Sequence, residues 1–141
     1  MLTKLTPQAG EPLDGDWFPM PLPSNIAIGT DVYIDTAYGF APFRSTRRPG
    51  LILGDSCGAY DRSTFVVGPL GLVEIGAFTC LNGVYLVCQE HINIGAHGLI
   101  AWGVVLADSW CDPHASVVSR REHLRRSAAS SQRPLPSCGL P

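Results

Sequence analysis

Between Val73 and Leu106 the chain reads VEIGAFTCLNGVYLVCQEHINIGAHGLIAWGVVL, and its apolar residues recur at every sixth position. Ile75, Leu81 and Val87 form one such series, and Ile94, Ile100 and Leu106 form another. A small or polar residue follows most of them: Gly76, Asn82, Cys88, Gly95, Ala101 and Ala107. An amphipathic helix repeats about every 3.6 residues and a half-buried strand every two, so neither produces this pattern. A parallel β-helix does, because each short strand of a flat face supplies one inward residue before the chain turns a corner.

Taking an aliphatic residue followed by glycine as the anchor of a coil gives Ile28-Gly29, Leu53-Gly54, Ile75-Gly76 and Ile94-Gly95. Two positions earlier stands another aliphatic residue in every coil: Ile26, Leu51, Val73 and Ile92. Steps of six place Ile34, Ala59, Leu81 and Ile100 on a second face, and Phe40, Phe65, Val87 and Leu106 on a third. The anchors are 25, 22 and 19 residues apart, whereas three hexads need 18. The surplus belongs at the corners, in APFRSTRRPG (41–50), VGPLG (67–71) and the CQEH turn (88–91), where solenoids accept insertions. An antiparallel sandwich of short strands would also be rich in turns, but it predicts alternation without three columns in common register. The expected fold is therefore an all-β parallel β-helix.

Composition agrees with this. The 141 residues are one domain's worth, 45% hydrophobic, with 15 glycines and 12 prolines that suit a turn-rich β architecture. Residues 1–24 form a proline-rich arm, expected to cap the first coil with Trp17, Phe18 and Met20. Coils occupy residues 25–112, and residues 113–141 form a loop helix and a basic tail expected to be disordered. A net charge of −2 gives no general electrostatic case for nucleic acid or a membrane surface. No apolar run reaches membrane-spanning length, and Met1 to Gly15 lacks a signal-peptide pattern. The five cysteines form no CxxC pair and read as free thiols, which implies a reducing, cytoplasmic setting.

SNIAIG-TDVYID, VEIG-AFTCLN and INIG-AHGLIAWGVVLADSW together resemble the hexapeptide-repeat acyltransferases. The resemblance covers about residues 25–112. It implies a left-handed parallel β-helix assembled as a homotrimer, with sites in clefts between subunits. The implied activity is acyl transfer from acyl-coenzyme A, acetyl-CoA or another, to a small-molecule acceptor, in the first instance O-acetyl transfer to a sugar or similar hydroxyl. In one respect the chain departs from the family: relatives return to further coils after an ADSW-like segment. Here SRREHLRRSAASSQRPLPSCGLP follows with no later aliphatic-glycine anchor, so the family's last coils are expected to be missing. The competing expectation is a non-catalytic trimeric scaffold, or a truncated, inactive relative.

Acyl transfer to a hydroxyl needs a base of near-neutral pKa within hydrogen-bond reach of the attacking oxygen. The resemblance points to His114, in the loop ADSWCDPHAS, with Asp108 or Asp112 as the partner that orients it; a solvated loop histidine is the plain alternative. His91, at the corner before the last anchor, is the second choice, and a corner residue bonded to backbone is its plain alternative. His97 falls at an outward position and His123 in the basic segment. Trp102 points outward at a corner, where it would line the groove for a pantetheine arm, cover a subunit interface, or lie under a loop of its own chain. Asp112-Pro113 reads as a helix start, with a helix over residues 114–127 that sets Arg120 and Arg121, beside Arg125 and Arg126, facing solvent. Arg120 and Arg121 could meet coenzyme A phosphates or simply be solvated, as could Arg44, Arg47 and Arg48. The related γ-class carbonic anhydrases bind metal through a His-x4-His pair, whereas His91 and His97 are six apart, so no metal is expected.

Overall fold

The computed structural model describes residues 6–109 and 117–130. Among the described residues eleven short strands, all paired in parallel, wind into a solenoid with three faces. The first face stacks β1 (Ile26–Ile28), β3 (Leu51–Leu53), β6 (Leu72–Ile75) and β9 (His91–Ile94). The second stacks β2 (Tyr33–Ile34), β4 (Gly58–Tyr60), β7 (Cys80–Asn82) and β10 (Leu99–Ala101). The third holds β5 (Thr64–Val67), β8 (Tyr85–Cys88) and β11 (Val105–Ala107). In the first coil a 3-10 turn, Ala37–Phe40, and the bridge Phe43 to Val67 take the place of a strand on this face.

The register is the one the anchors dictate. Ile28, Leu53, Ile75 and Ile94 lie one above another, as do Ile26, Leu51, Val73 and Ile92. Ile34, Ala59, Leu81 and Ile100 form the second column. Buried aliphatic side chains fill the interior, and Phe40 stacks on Phe65 with ring centroids 4.8 Å apart. A single coil has no core, so this stacking is where the apolar burial comes from.

The third column departs from expectation at one place. Leu86, not Val87, pairs with Phe65 below and Leu106 above, and it is fully buried while Val87 faces out. The cause is the corner before β8. In the second coil, Asp61 and Arg62 both take left-handed backbone (φ 50° and 56°), so six residues separate Ala59 from Phe65. In the third coil a single left-handed Gly83 (φ 67°) turns the chain, one residue is saved, and the alternation shifts to Leu86 and Cys88. Gly83 can do this because it carries no Cβ to clash in that region.

The corner after each anchor carries the backbone ladder from coil to coil. The N–H groups of Gly29, Gly54 and Gly76 each donate to the carbonyl of the next coil's anchor at 2.8 Å. Two residues later, Asp31, Ser56, Phe78 and His97 all adopt left-handed backbone, φ 53° to 60°. Their amides continue the ladder, with Ser56 N–H donating to Thr30, Phe78 to Asp55 and His97 to Ala77 at 2.8–2.9 Å. Backbone groups at the corners are thus satisfied between coils, as buried peptide groups must be.

In the arm, Leu22 is the residue buried in the core, with Leu13 and Phe18 packed against it. The expected cap by Trp17 and Met20 is not made: they are 66% and 57% exposed, and Trp17 instead packs on Phe18 and Tyr38. The arm is tied down by Asp16, whose carboxylate accepts from the backbone of Phe18 and Ala37. A separate helix, α1 (Val117–Ser130), covers the expected span from residue 117 onward and runs on through Ala128 and Ala129, strong helix formers, while residues 114–116 lie outside the described residues. Asp112 and Pro113 lie outside the described residues. No described helix is long and apolar enough to cross a membrane.

Candidate functional site

The CQEH turn is built around Asp108, which directly follows β11. Its Oδ1 accepts from the Gln89 amide at 2.8 Å, and its Oδ2 accepts from the Glu90 and His91 amides at 2.6 and 2.7 Å. The Ser109 hydroxyl adds a fourth bond at 3.1 Å. Burial on its own would raise this carboxyl's pKa, but the three amides and the hydroxyl favour the charged form and bring it down to about 2. Beside it the buried Cys88 thiol is pushed up to about 11, first by burial and then by the Asp108 charge, so it stays protonated. Asp108 therefore acts as a cap: it neutralises three amides that the tight turn would otherwise leave without partners.

A group held this far below the ordinary carboxylate value favours the folded state above the unfolded pKa, and this advantage is lost as pH falls through the folded one. For Asp108 the window is about pH 4 down to about 2. Asp108→Ala should cost about 0.5–2 kcal/mol at neutral pH, the range of a lost helix N-cap, and flatten the fall in stability across that window. Urea unfolding at pH 7 and pH 3 measures both; identical stabilities for the two proteins at pH 7 would refute the capping role.

The turn delivers His91 to the start of β9, where its side chain lies across the outer surface of the first face. Its Nε2 is 2.6 Å from Oε2 of Glu74 on β6, with the two side chains 50% and 35% exposed. Asn93 reaches the same oxygen at 3.5 Å. With Nε2–H donating to Glu74, the neutral ring keeps its lone pair on Nδ1, where it can take a proton from a bound hydroxyl. A carboxylate on one imidazole nitrogen and an open second nitrogen is the arrangement that fixes a tautomer for general-base work.

His114, the first candidate base, lies outside the described residues, as does its possible partner Asp112. Asp108, the other proposed partner of His114, instead joins the His91 turn, so the structure unites Asp108 with His91 through the main chain. Arg121 is exposed on α1; Arg120 lies on the same helix, its side chain outside the described residues. His97 is exposed and stacks on Phe78 with parallel rings 5.2 Å apart. Arg44 donates to the carbonyls of Ala41 and Phe43 and thereby closes its own loop. Among the described residues no group of three or more His, Cys, Asp or Glu side chains is placed to hold a metal.

Trp102 points outward as expected and is 71% exposed. It stands in a groove of about 350 Å3 at the corner between the second and third faces, with Tyr38, Asp61, Arg62 and Tyr85. Hexad position alone does not connect these residues, nor Glu74 with His91. For the second pair the signal was present. The anchor register sets Glu74 beside Asn93 and Leu72 beside His91, which makes Glu74 and His91 diagonal neighbours on one surface.

The class defined here is a three-faced, all-parallel β-solenoid that carries a carboxylate-held histidine on one outer face. Comparison with protein-family models, curated proteins and solved structures finds no match for this chain.

Proposed function

We propose that the chain is an acyl-CoA-dependent acyltransferase, working as a homotrimer of left-handed β-helices on a sugar or similar hydroxyl acceptor. The observation that carries this reading is the solenoid itself, with its aliphatic-glycine anchor at the same corner of all four coils. The Glu74–His91 pair supports it as a described base beside the first-choice His114. In the proposed reaction an imidazole takes the acceptor's hydroxyl proton while the oxygen attacks the thioester carbonyl. The tetrahedral adduct then collapses, the C–S bond breaks, and the imidazolium returns its proton to the departing thiolate. Arg120 and Arg121 would meet the coenzyme's phosphates in this reading.

Calorimetric titration of acetyl-CoA into the protein, with its mass followed by light scattering, tests it first. The expected result is a trimer binding about one acetyl-CoA per chain. Thiol release with a panel of hydroxyl acceptors then tests the base: His114→Ala should lose about 10²–10⁴-fold. A loss that follows His91→Ala and Glu74→Gln, with His114→Ala unchanged, would transfer the role to His91. The second reading, a non-catalytic scaffold, is favoured by the full engagement of Asp108 with backbone amides. A folded trimer without affinity for acetyl-CoA would establish it over the enzyme.

A further inference from the structure

The corner between the second and third faces collects aromatic rings from three of the four coils. Tyr38 comes from the 3-10 turn of the first coil, Tyr85 from the start of β8 in the third and Trp102 from the corner of the fourth. All three are solvent-exposed, at 43%, 51% and 71%. Tyr38 is steadied from behind by Trp17 and Phe18, each with its ring centroid 5.5 Å away. Coils in such a stack are about 4.8 Å apart, so the rings form a ladder parallel to the solenoid axis.

The second coil contributes polar groups in place of a ring. Asp61 and Arg62 occupy the corner in consecutive left-handed conformations, a strained pairing of the kind retained where side chains must be aimed. Among the described residues the Asp61 carboxylate and the Arg62 guanidinium have no hydrogen bond or ion pair; Arg62 is held only through its backbone, its N–H bonded to Asp35 and its carbonyl to Thr64. In the third coil Gly83 leaves the floor open. A Cβ there would stand 3.2 Å from the Trp102 ring and 3.3 Å from the Asp61 carboxylate.

We infer that this groove is a binding site for a neutral saccharide, with pyranose rings laid along the aromatic ladder. The C–H face of a pyranose is apolar and matches the tryptophan and tyrosine faces, while its rim of hydroxyls needs both donors and acceptors. Arg62 supplies donors and Asp61 a pure acceptor. A volume of about 350 Å3 suits a small ligand. A second copy of the chain fits less well, since the core of a protein interface is depleted in charged groups and this groove has two in its middle. The site is separate from the His91 corner, with the third face between them, and it does not depend on acyl transfer.

The test is NMR of the tryptophan indole N–H groups, with the Trp102 signal assigned by its disappearance in Trp102→Phe. Maltotriose, cellotriose and tri-N-acetylchitotriose are titrated separately into the full chain, without coenzyme A. At least one should shift the Trp102 indole saturably at millimolar concentration. Tyr85→Ala and Asp61→Asn should each weaken that binding at least tenfold, while thermal unfolding stays as in the wild type. No saturable Trp102 shift with any of the three would overturn the inference. So would light scattering in which Trp102→Ala converts an oligomer to monomer, because the patch would then belong to a second copy. A protein that binds acetyl-CoA but no trisaccharide loses this site and keeps the acyltransferase reading; the opposite result does the reverse.

Discussion

Phe65→Ala should lower the unfolding free energy by about 3–5 kcal/mol, the usual cost of emptying a buried phenylalanine site. Phe65 has no exposed surface and is the largest fully buried side chain among the described residues. It lies in the second coil with Phe40 stacked beneath it and Leu86 on the next strand, so neighbours on both sides lose contact with it. Coils above and below are tied into backbone ladders and cannot close over the gap, which holds the cost near the upper end. A domain of this size has only about 5–15 kcal/mol to lose. Leu106→Ala, at the half-buried fourth-coil position of the same column, should cost distinctly less. Paired urea titrations give the comparison, and equal losses would contradict the layered core.

The second large effect separates residues that the sequence presents as equivalent. Gly76→Ala should destabilise the solenoid by about 3 kcal/mol, because a Cβ at Gly76 would press into the backbone of the next coil, 2.6 Å from the Gly95 carbonyl carbon. That neighbour is main chain fixed by the ladder and cannot swing away. Gly95→Ala should be neutral or stabilising by about 0.4–1 kcal/mol, since nothing stands within 4 Å of its Cβ position and alanine narrows the unfolded ensemble. Thermal unfolding of the two variants tests this directly. A strong loss at Gly95 would mean that another layer covers the fourth coil in solution, and a neutral Gly76→Ala would refute the corner packing.

Much of the fold was legible because a solenoid repeats one local decision. Each coil must present an aliphatic residue at the same height on each face, so the strand register follows from the spacing of Ile28, Leu53, Ile75 and Ile94. Val87 escaped the reading because hexad counting assumes corners of equal length. Gly83 turns in one residue fewer, and only backbone dihedrals reveal that. Trp17 and Met20 escaped because a proline-rich arm has no period, and its path depends on where Asp16 finds the amides of Phe18 and Ala37.

The site divides along the same line. By itself the sequence determined that His91 stands at the corner before the last anchor, that Asp108 follows the third hexad of that coil, and that Trp102 faces out, since these follow from position in a repeat. Only the tertiary structure decided what they meet. Asp108 binds amides 17 to 19 residues earlier, His91 meets Glu74 17 residues earlier, and Trp102 shares a groove with rings from the first and third coils. Contacts between coils depend on corner geometry accumulated over a whole turn, whereas the apolar pattern records only which side of its own strand each residue takes.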